Sequence, residues 1–268
     1  MKHIIFTISP LFLAGMTGMS LCQPAYSKPI TPPSHSDIHT PGQTRQPALS
    51  FSLEVLEGKT RALAKKAELE AQKASQRLIH AKELLGKTYQ KSVVKASEGI
   101  TNMDEFVFKW TTQRLKNNWK RKSSQVAQAI LKESEKYGFD PVFLMAVIEN
   151  ESSFNPEVIG GCGEIGLMQL TPDTAKWIAS KYGIPYKGKK SLKNPVINIS
   201  IGSAYLAYLR GKFDFHSQLY LAAYNMGTSH LHRSLDKQII PKDYSSRVMK
   251  RYVKFYTSLS KEALERVN

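Results

Sequence analysis

The chain has 268 residues and a hydrophobic fraction of 41%, enough for one sizeable domain with an extension or for two modest domains. Lysine and arginine outnumber aspartate and glutamate 38 to 22, and the resulting net charge of +16 points to a polyanionic partner: nucleic acid, an anionic membrane surface or an acidic polymer. Two cysteines are too few for a disulfide framework, so the fold must rest on a packed core.

The first residues read as an export signal. Lys2 supplies the positive start, Ile4 to Leu13 is apolar apart from Thr7, Ser9 and Pro10, and Ala25-Tyr26-Ser27 places small residues where a signal peptidase reads them. Residues 1–27 are therefore expected to be a cleaved signal peptide. An uncleaved anchor is disfavoured by Pro10, and a lipoprotein reading at Cys22 is disfavoured by Leu21, where a small residue is normally needed. Cleavage after Ser27 removes Cys22 and leaves Cys162 alone, without an internal disulfide partner. Later segments lack about 18 consecutive apolar residues, so the mature chain is not expected to span a membrane.

Residues 28–50 hold Pro29, Pro32, Pro33, Pro41 and Pro47 among Ser, Thr and His, the composition of an extended linker. From Leu56 the pattern changes. Leu56, Leu63, Ala67, Ala71, Ala74, Leu78, Ala81, Leu85 and Tyr89 trace one stripe of a long helix, which Gly99 to Asn102 should break. The alanine-heavy stripe suits packing on a neighbouring helix, on the following domain or on a partner. Between Lys59 and Lys122 stand 16 basic and 6 acidic residues, so residues 51–122 read as a basic helical extension, either a solvated face or a binding surface.

Further helices are expected from Asp104 to about Trp119, and from a cap at Ser123 or Ser124 to about Tyr137. Asp140-Pro141 is a strong helix start, an N-cap acid followed by proline at the first helical position. Others follow at about Pro172–Tyr182, Pro195–Leu209, Ser217–Tyr224 and Tyr244–Leu259. Confident strand alternation is lacking, so the expected fold class is predominantly α, with a domain over residues 123–268.

The helix opening at Pro141 runs Val142, Phe143, Leu144, Met145, Ala146, Val147, Ile148, apolar nearly all round, and should be buried. It ends in Glu149-Asn150-Glu151. Glu151 follows Leu144 by seven residues and Ile148 by three, and a carboxyl held against apolar walls resists ionisation and can donate a proton near neutral pH. Glu149 follows Met145 by four and has similar surroundings, so spacing alone does not choose between them, nor does it exclude that both reach solvent.

The residues that follow carry more. Glu151-Ser152-Ser153-Phe154-Asn155-Pro156, then Gly166-Leu167-Met168-Gln169-Leu170-Thr171-Pro172, then Ala222-Ala223-Tyr224-Asn225-Met226-Gly227 occur in that order, with Asn194-Pro195, Asn198-Ile199, Gly202 and Tyr205-Leu206 between the last two. This set resembles the lytic transglycosylases of the lysozyme-like superfamily, in the group with the soluble-transglycosylase catalytic domain, over about Ser123 to Tyr256. The resemblance implies a lysozyme-like catalytic domain preceded by the basic extension, and Glu151 as the catalytic residue. It also implies Ser152, Met168, Gln169, Tyr205, Tyr224 and Asn225 as substrate-binding residues, with Met168 an apolar wall and Gln169 a hydrogen-bonding side chain. Tyr205 and Tyr208 lie on a helix where an aromatic can equally be core, and Tyr224 and Asn225 could simply shape the turn at Gly227. Relatives commonly carry serine at Gly160, alanine at Glu164 and methionine at Thr171, which bears on subsite contacts; Cys162 reads as a space-filler.

The activity so implied is cleavage of the β-1,4 bond between N-acetylmuramic acid and N-acetylglucosamine with a 1,6-anhydro-muramoyl product. Glu151 would act as both acid and base, and neither metal nor cofactor is needed; His230 and His232 lack further ligands nearby. A hydrolytic lysozyme is the alternative if Glu164 or Asp173 faces the groove, and a non-catalytic wall-binding assembly factor is another. The expected partners are peptidoglycan glycan strands and, by analogy, an envelope-spanning secretion or conjugation machine; the expected location is the periplasm or cell envelope. A nucleic-acid partner has only the charge in its favour.

Overall fold

A computed structural model describes residues 48–266. The expected signal peptide, and the expected linker up to residue 47, lie outside the described residues. Among those described, the secondary structure is helical, with isolated bridges pairing Ile159 to Ile165 and Ile165 to Leu170 as the sole β features. The predominantly α class expected from the sequence is what forms.

The helices are α1 (Ala48–Leu85), α2 (Val93–Ala96), α3 (Met103–Arg114), α4 (Ser123–Tyr137), α5 (Pro141–Ser152), α6 (Pro172–Tyr182), α7 (Pro195–Lys212), α8 (Ser217–Met226), α9 (Thr228–Asp236) and α10 (Asp243–Glu265). Three sequence expectations need correction. The long helix ends at Leu85 rather than near Gly99, because Gly86 adopts φ +51° and a 3-10 segment, Gly86–Lys91, follows. The helix α3 stops at Arg114 rather than Trp119, where Leu115 turns to ψ 132° to place its side chain fully in the core. A helix not among those expected, α9, follows Gly227 and buries Leu231.

The centre of the fold is α5. Residues Pro141 to Ile148 are all buried, and α4 and α10 pack against the helix. Its start is fixed locally, since the Asp140 carboxylate accepts from the Val142 N–H at 2.9 Å while Pro141 occupies the first turn. Its end is fixed by Ser153 and Phe154, both at positive φ, 51° and 59°, a costly pair held by the complete burial of Phe154.

The lower half of α1 shares this core. His80, Ala81 and Leu84 are buried, whereas Leu56 and Leu63 of the same stripe are exposed. His80 Nδ1 accepts the Asp140 N–H at 3.0 Å, and its ring lies edge-on to Phe143 at 4.8 Å. Three residues along α1 from His80, Glu83 accepts through both carboxylate oxygens from Arg210 of α7 at 2.9–3.0 Å, and Arg210 also donates to the carbonyls of Tyr137 and Gly138, which close α4. The second Asp140 oxygen accepts from Tyr252 and Tyr256 of α10, each at 2.6 Å. One buried polar network thus ties α1, α7 and α10 to the start of α5, and every member has a partner, as burial in a low-dielectric interior demands.

Candidate active site

The far end of α5 opens into a cleft of about 510 Å³ lined by Glu151, Cys162, Glu164, Gln169, Thr171, Thr174, Tyr205, Tyr224, Asn225 and Met226, among others. An aromatic row flanks it. Trp177 lies 6.2 Å from Tyr205, Tyr205 lies 5.3 Å from Tyr224, and Tyr224 lies 6.4 Å from Tyr244, ring centre to ring centre. The Tyr244 hydroxyl donates to Glu151 Oε1. Burial holds the Glu151 carboxyl above the usual carboxylate range; hydrogen bonds from Tyr244 and Asn150 and the Arg247 charge oppose this in part, and the neighbouring Glu164 charge reinforces it. Burial also pushes the Tyr224 and Tyr244 hydroxyls well up, with the Glu151 charge adding to it, so both stay protonated donors.

The two acids of α5 point in different directions. Glu149 leaves the cleft and pairs with Arg114 at 2.8 Å, while Glu151 enters it. Gln169 lines the cleft, but its side-chain nitrogen is engaged by the carbonyls of Val158 and Gly166 at 3.1 and 2.9 Å, which leaves its oxygen as the free group. Gly166 is required here, since its φ is +86° and a Cβ would sit 2.5 Å from the Leu192 carbonyl oxygen. Tyr224 donates to the Met168 carbonyl at 2.7 Å and so ties α8 to the loop carrying Gln169. Asn225 is exposed at the cleft.

Two residues expected to bind substrate do not reach the cleft. Ser152 is buried, and its hydroxyl donates to the carbonyls of Leu167 at 2.9 Å and Ile148 at 3.2 Å, joining the motif loops from within. Met168 is fully buried, its sulfur packed onto Gly202, where a Cβ would come within 2.5 Å of it. In both cases the side chain fastens the site and does not wall it. Cys162 is exposed at the cleft, so it is not a space-filler. Glu164 does face the cleft, accepting the Cys162 N–H at 3.0 Å, and a Cβ at Gly160 would collide with its carboxylate; Asp173 is not among the lining residues.

Sequence reasoning missed Tyr244, Arg247, Asn150 and Thr174. Tyr244 sits two residues before Ser246 in a helix that signals only amphipathic periodicity, about 90 residues from the acid it contacts. Among the described residues, groups of three or more His, Cys, Asp or Glu suited to a metal ion are absent.

Residues 128–245 match the family described as "Transglycosylase SLT domain". The chain is similar to the membrane-bound lytic murein transglycosylase C of Serratia proteamaculans, 33% identical over 111 residues, covering 40% of this chain and 30% of that protein. It is also similar to the soluble lytic murein transglycosylase of Salmonella typhimurium, 40% identical over 86 residues, covering 32% of this chain and 13% of that protein. The lytic transglycosylase Slt of Pseudomonas aeruginosa aligns over 50% of this chain and 24% of its own with a TM-score of 0.46 at 29% identity. The chain therefore spans less than a third of the length of each of these relatives. Among the described residues, helices long and apolar enough to cross a membrane are absent.

Proposed function

We propose that the chain is a peptidoglycan lytic transglycosylase with a lysozyme-like catalytic domain, and that Glu151 is its general acid and base. The observation that carries this reading is the Glu151 carboxyl, held partly desolvated against a tyrosine donor beside a row of aromatic rings in a cleft of sugar-binding size. Neutral Glu151 protonates the glycosidic oxygen between N-acetylmuramic acid and N-acetylglucosamine, and the bond to the anomeric carbon breaks with the electron pair leaving on that oxygen. Tyr244 then stabilises the new Glu151 carboxylate. That carboxylate removes the proton of the muramoyl 6-hydroxyl, whose oxygen closes the 1,6-anhydro ring and returns Glu151 to its acid form. The rings of Tyr205 and Tyr224 offer flat apolar faces to sugar rings, while the Gln169 oxygen and Asn225 side chain offer polar contacts.

The export signal expected in residues 1–27 places the reaction in the periplasm or cell envelope, and the basic charge of residues 51–122 suits an anionic wall or an envelope-spanning machine. Purified wild type and Glu151→Gln are compared by mass spectrometry of muropeptides released from cell-wall sacculi. Anhydro-muropeptides from wild type and none from Glu151→Gln are expected; equal release by both removes Glu151 from the chemistry. Glu164 in the same cleft favours a second reading, hydrolysis, in which it activates water opposite Glu151. Reducing muramic ends in the same product analysis select that reading.

A further inference from the structure

The chain carries a net charge of +16, yet its cleft is lined by two acids, Glu151 and Glu164, and, among the described residues, by no lysine or arginine. Glu164 is half-buried and forms no ion pair with a described residue. A short hairpin fixes its place. The Gly160 N–H donates to the Glu164 carbonyl at 2.8 Å, the Gly163 N–H returns to the Gly160 carbonyl at 3.1 Å, and Glu164 Oε2 accepts the Cys162 N–H at 3.0 Å. One protein donor thus serves a carboxylate that can accept about four, and the rest of its capacity is left to whatever enters the cleft.

Gly160 shows where that capacity is directed. Its φ is not positive, so the backbone itself does not call for glycine. The side chains around it do: a Cβ at Gly160 would collide with Glu164 Oε2 and come within 2.8 Å of Gln169 Oε1. The carboxylate and the amide oxygen therefore converge on one small space beside the Gly160 backbone. Gln169 cannot turn its nitrogen there, because the carbonyls of Val158 and Gly166 hold it at 3.1 and 2.9 Å. Two acceptors, one of them charged, meet at one wall of a cleft that otherwise suits sugar rings. A primary ammonium brings three N–H donors and a full positive charge, and it reaches both oxygens at about 2.7–2.9 Å. An acetamido group brings a single N–H, and its carbonyl oxygen would face two further acceptors.

We infer that the Glu164–Gln169 wall recognises a hexosamine unit whose 2-amino group is free, so that the strand preferred in the cleft is a partly de-N-acetylated glycan. This rests on the proposed function and names the substrate class that the same site selects. Glu151, Glu164 and Gln169 line one cleft, so a ring seated there carries its own ammonium to these acceptors.

The test first measures binding by titration calorimetry of the purified chain with tetra-N-acetylchitotetraose and with its fully de-N-acetylated counterpart, tetraglucosamine. Both lack the muramoyl bond, so cleavage does not intervene. Wild type is expected to bind tetraglucosamine about tenfold more tightly, the effect of one charge-assisted contact, and to lose the preference as rising pH discharges the amines. Glu164→Gln keeps the shape and an acceptor for the Cys162 N–H but removes the charge, and should bring the two affinities to within about twofold. Gly160→Ala should do the same by another route, its Cβ displacing the carboxylate. Equal or weaker binding of tetraglucosamine by wild type, or a preference that survives Glu164→Gln, overturns the inference. Cleavage is then compared on intact strands and on strands treated with a deacetylase. The kcat/KM ratio should favour the treated strands in wild type and fall about tenfold in Glu164→Gln, and an unchanged ratio overturns the inference. If wild type cleaves neither strand, the proposed function fails, and the calorimetry still decides what the wall selects.

Discussion

Replacing Tyr244 by phenylalanine removes one hydroxyl from the site and little else. The ring remains packed against Tyr224, and the residue is 5% exposed, so the volume lost is that of one oxygen. That hydroxyl donates to Glu151, and a hydrogen bond to an ionised carboxylate contributes about 1.5–3 kcal/mol, more than one to its protonated form. In the proposed reaction Glu151 is ionised after it has protonated the leaving oxygen, so each step that generates this carboxylate loses about that amount. At about 1.4 kcal/mol per factor of ten, the expected fall in kcat is about 10- to 100-fold. The pH dependence has a defined sign. The Tyr244 hydrogen bond lowers the proton affinity of Glu151, and burial raises it. Without the hydroxyl the opposing influence is gone, the acid holds its proton to higher pH, and the alkaline limb of kcat/KM moves upward even as the maximum falls. The assay is a kcat/KM–pH profile on solubilised glycan strands, beside a thermal melt to show that the fold is retained. An unchanged maximum, or a limb displaced toward lower pH, refutes Tyr244 as the partner that stabilises ionised Glu151.

Other consequences follow from the buried network and the tight loops. His80 is fully enclosed and its pKa is held well below the ordinary value by burial, so folding favours its neutral form. Stability from this group is present above about pH 6.5 and declines as pH falls toward the folded pKa, because the unfolded chain takes the proton first. His80→Gln should flatten that acid-side decline in the melting temperature measured against pH, and an undiminished slope would count against His80 as its source. Asp140→Ala removes the α5 cap, about 1 kcal/mol, and strands the hydroxyls of Tyr252 and Tyr256, about 1–3 kcal/mol each. Chemical denaturation should show a loss of about 3–7 kcal/mol, and a loss below about 1 kcal/mol would contradict the network's geometry. Gly166→Ala puts a Cβ against the Leu192 carbonyl at an unfavourable φ and should cost about 2 kcal/mol or more while reducing turnover, since the loop that holds Gln169 must move. Arg210→Lys loses the paired contact to Glu83, and limited proteolysis should then cut within α1 sooner than in wild type.

What the sequence determined by itself was local. Helical periodicity, the Asp140-Pro141 start and the apolar run to Ile148 specify a buried helix ending in acids, because caps and amphipathic spacing act within a few residues. The ordered motifs around Glu151, Gln169 and Tyr224 carry the cleft's principal residues in the sequence itself. Spacing left Glu149 and Glu151 equivalent and the motif resemblance implied Glu151; the tertiary structure adds their directions, which depend on Arg114 and Tyr244, supplied by α3 and α10. It likewise turned Ser152 and Met168 inward, through a carbonyl at Leu167 and the bare surface of Gly202, and it docked half of the α1 stripe through His80 while leaving the other half exposed. Spacing along one helix reports which face a side chain occupies. What stands opposite that face is set by chain segments tens of residues away, and there the chemistry of this site is decided.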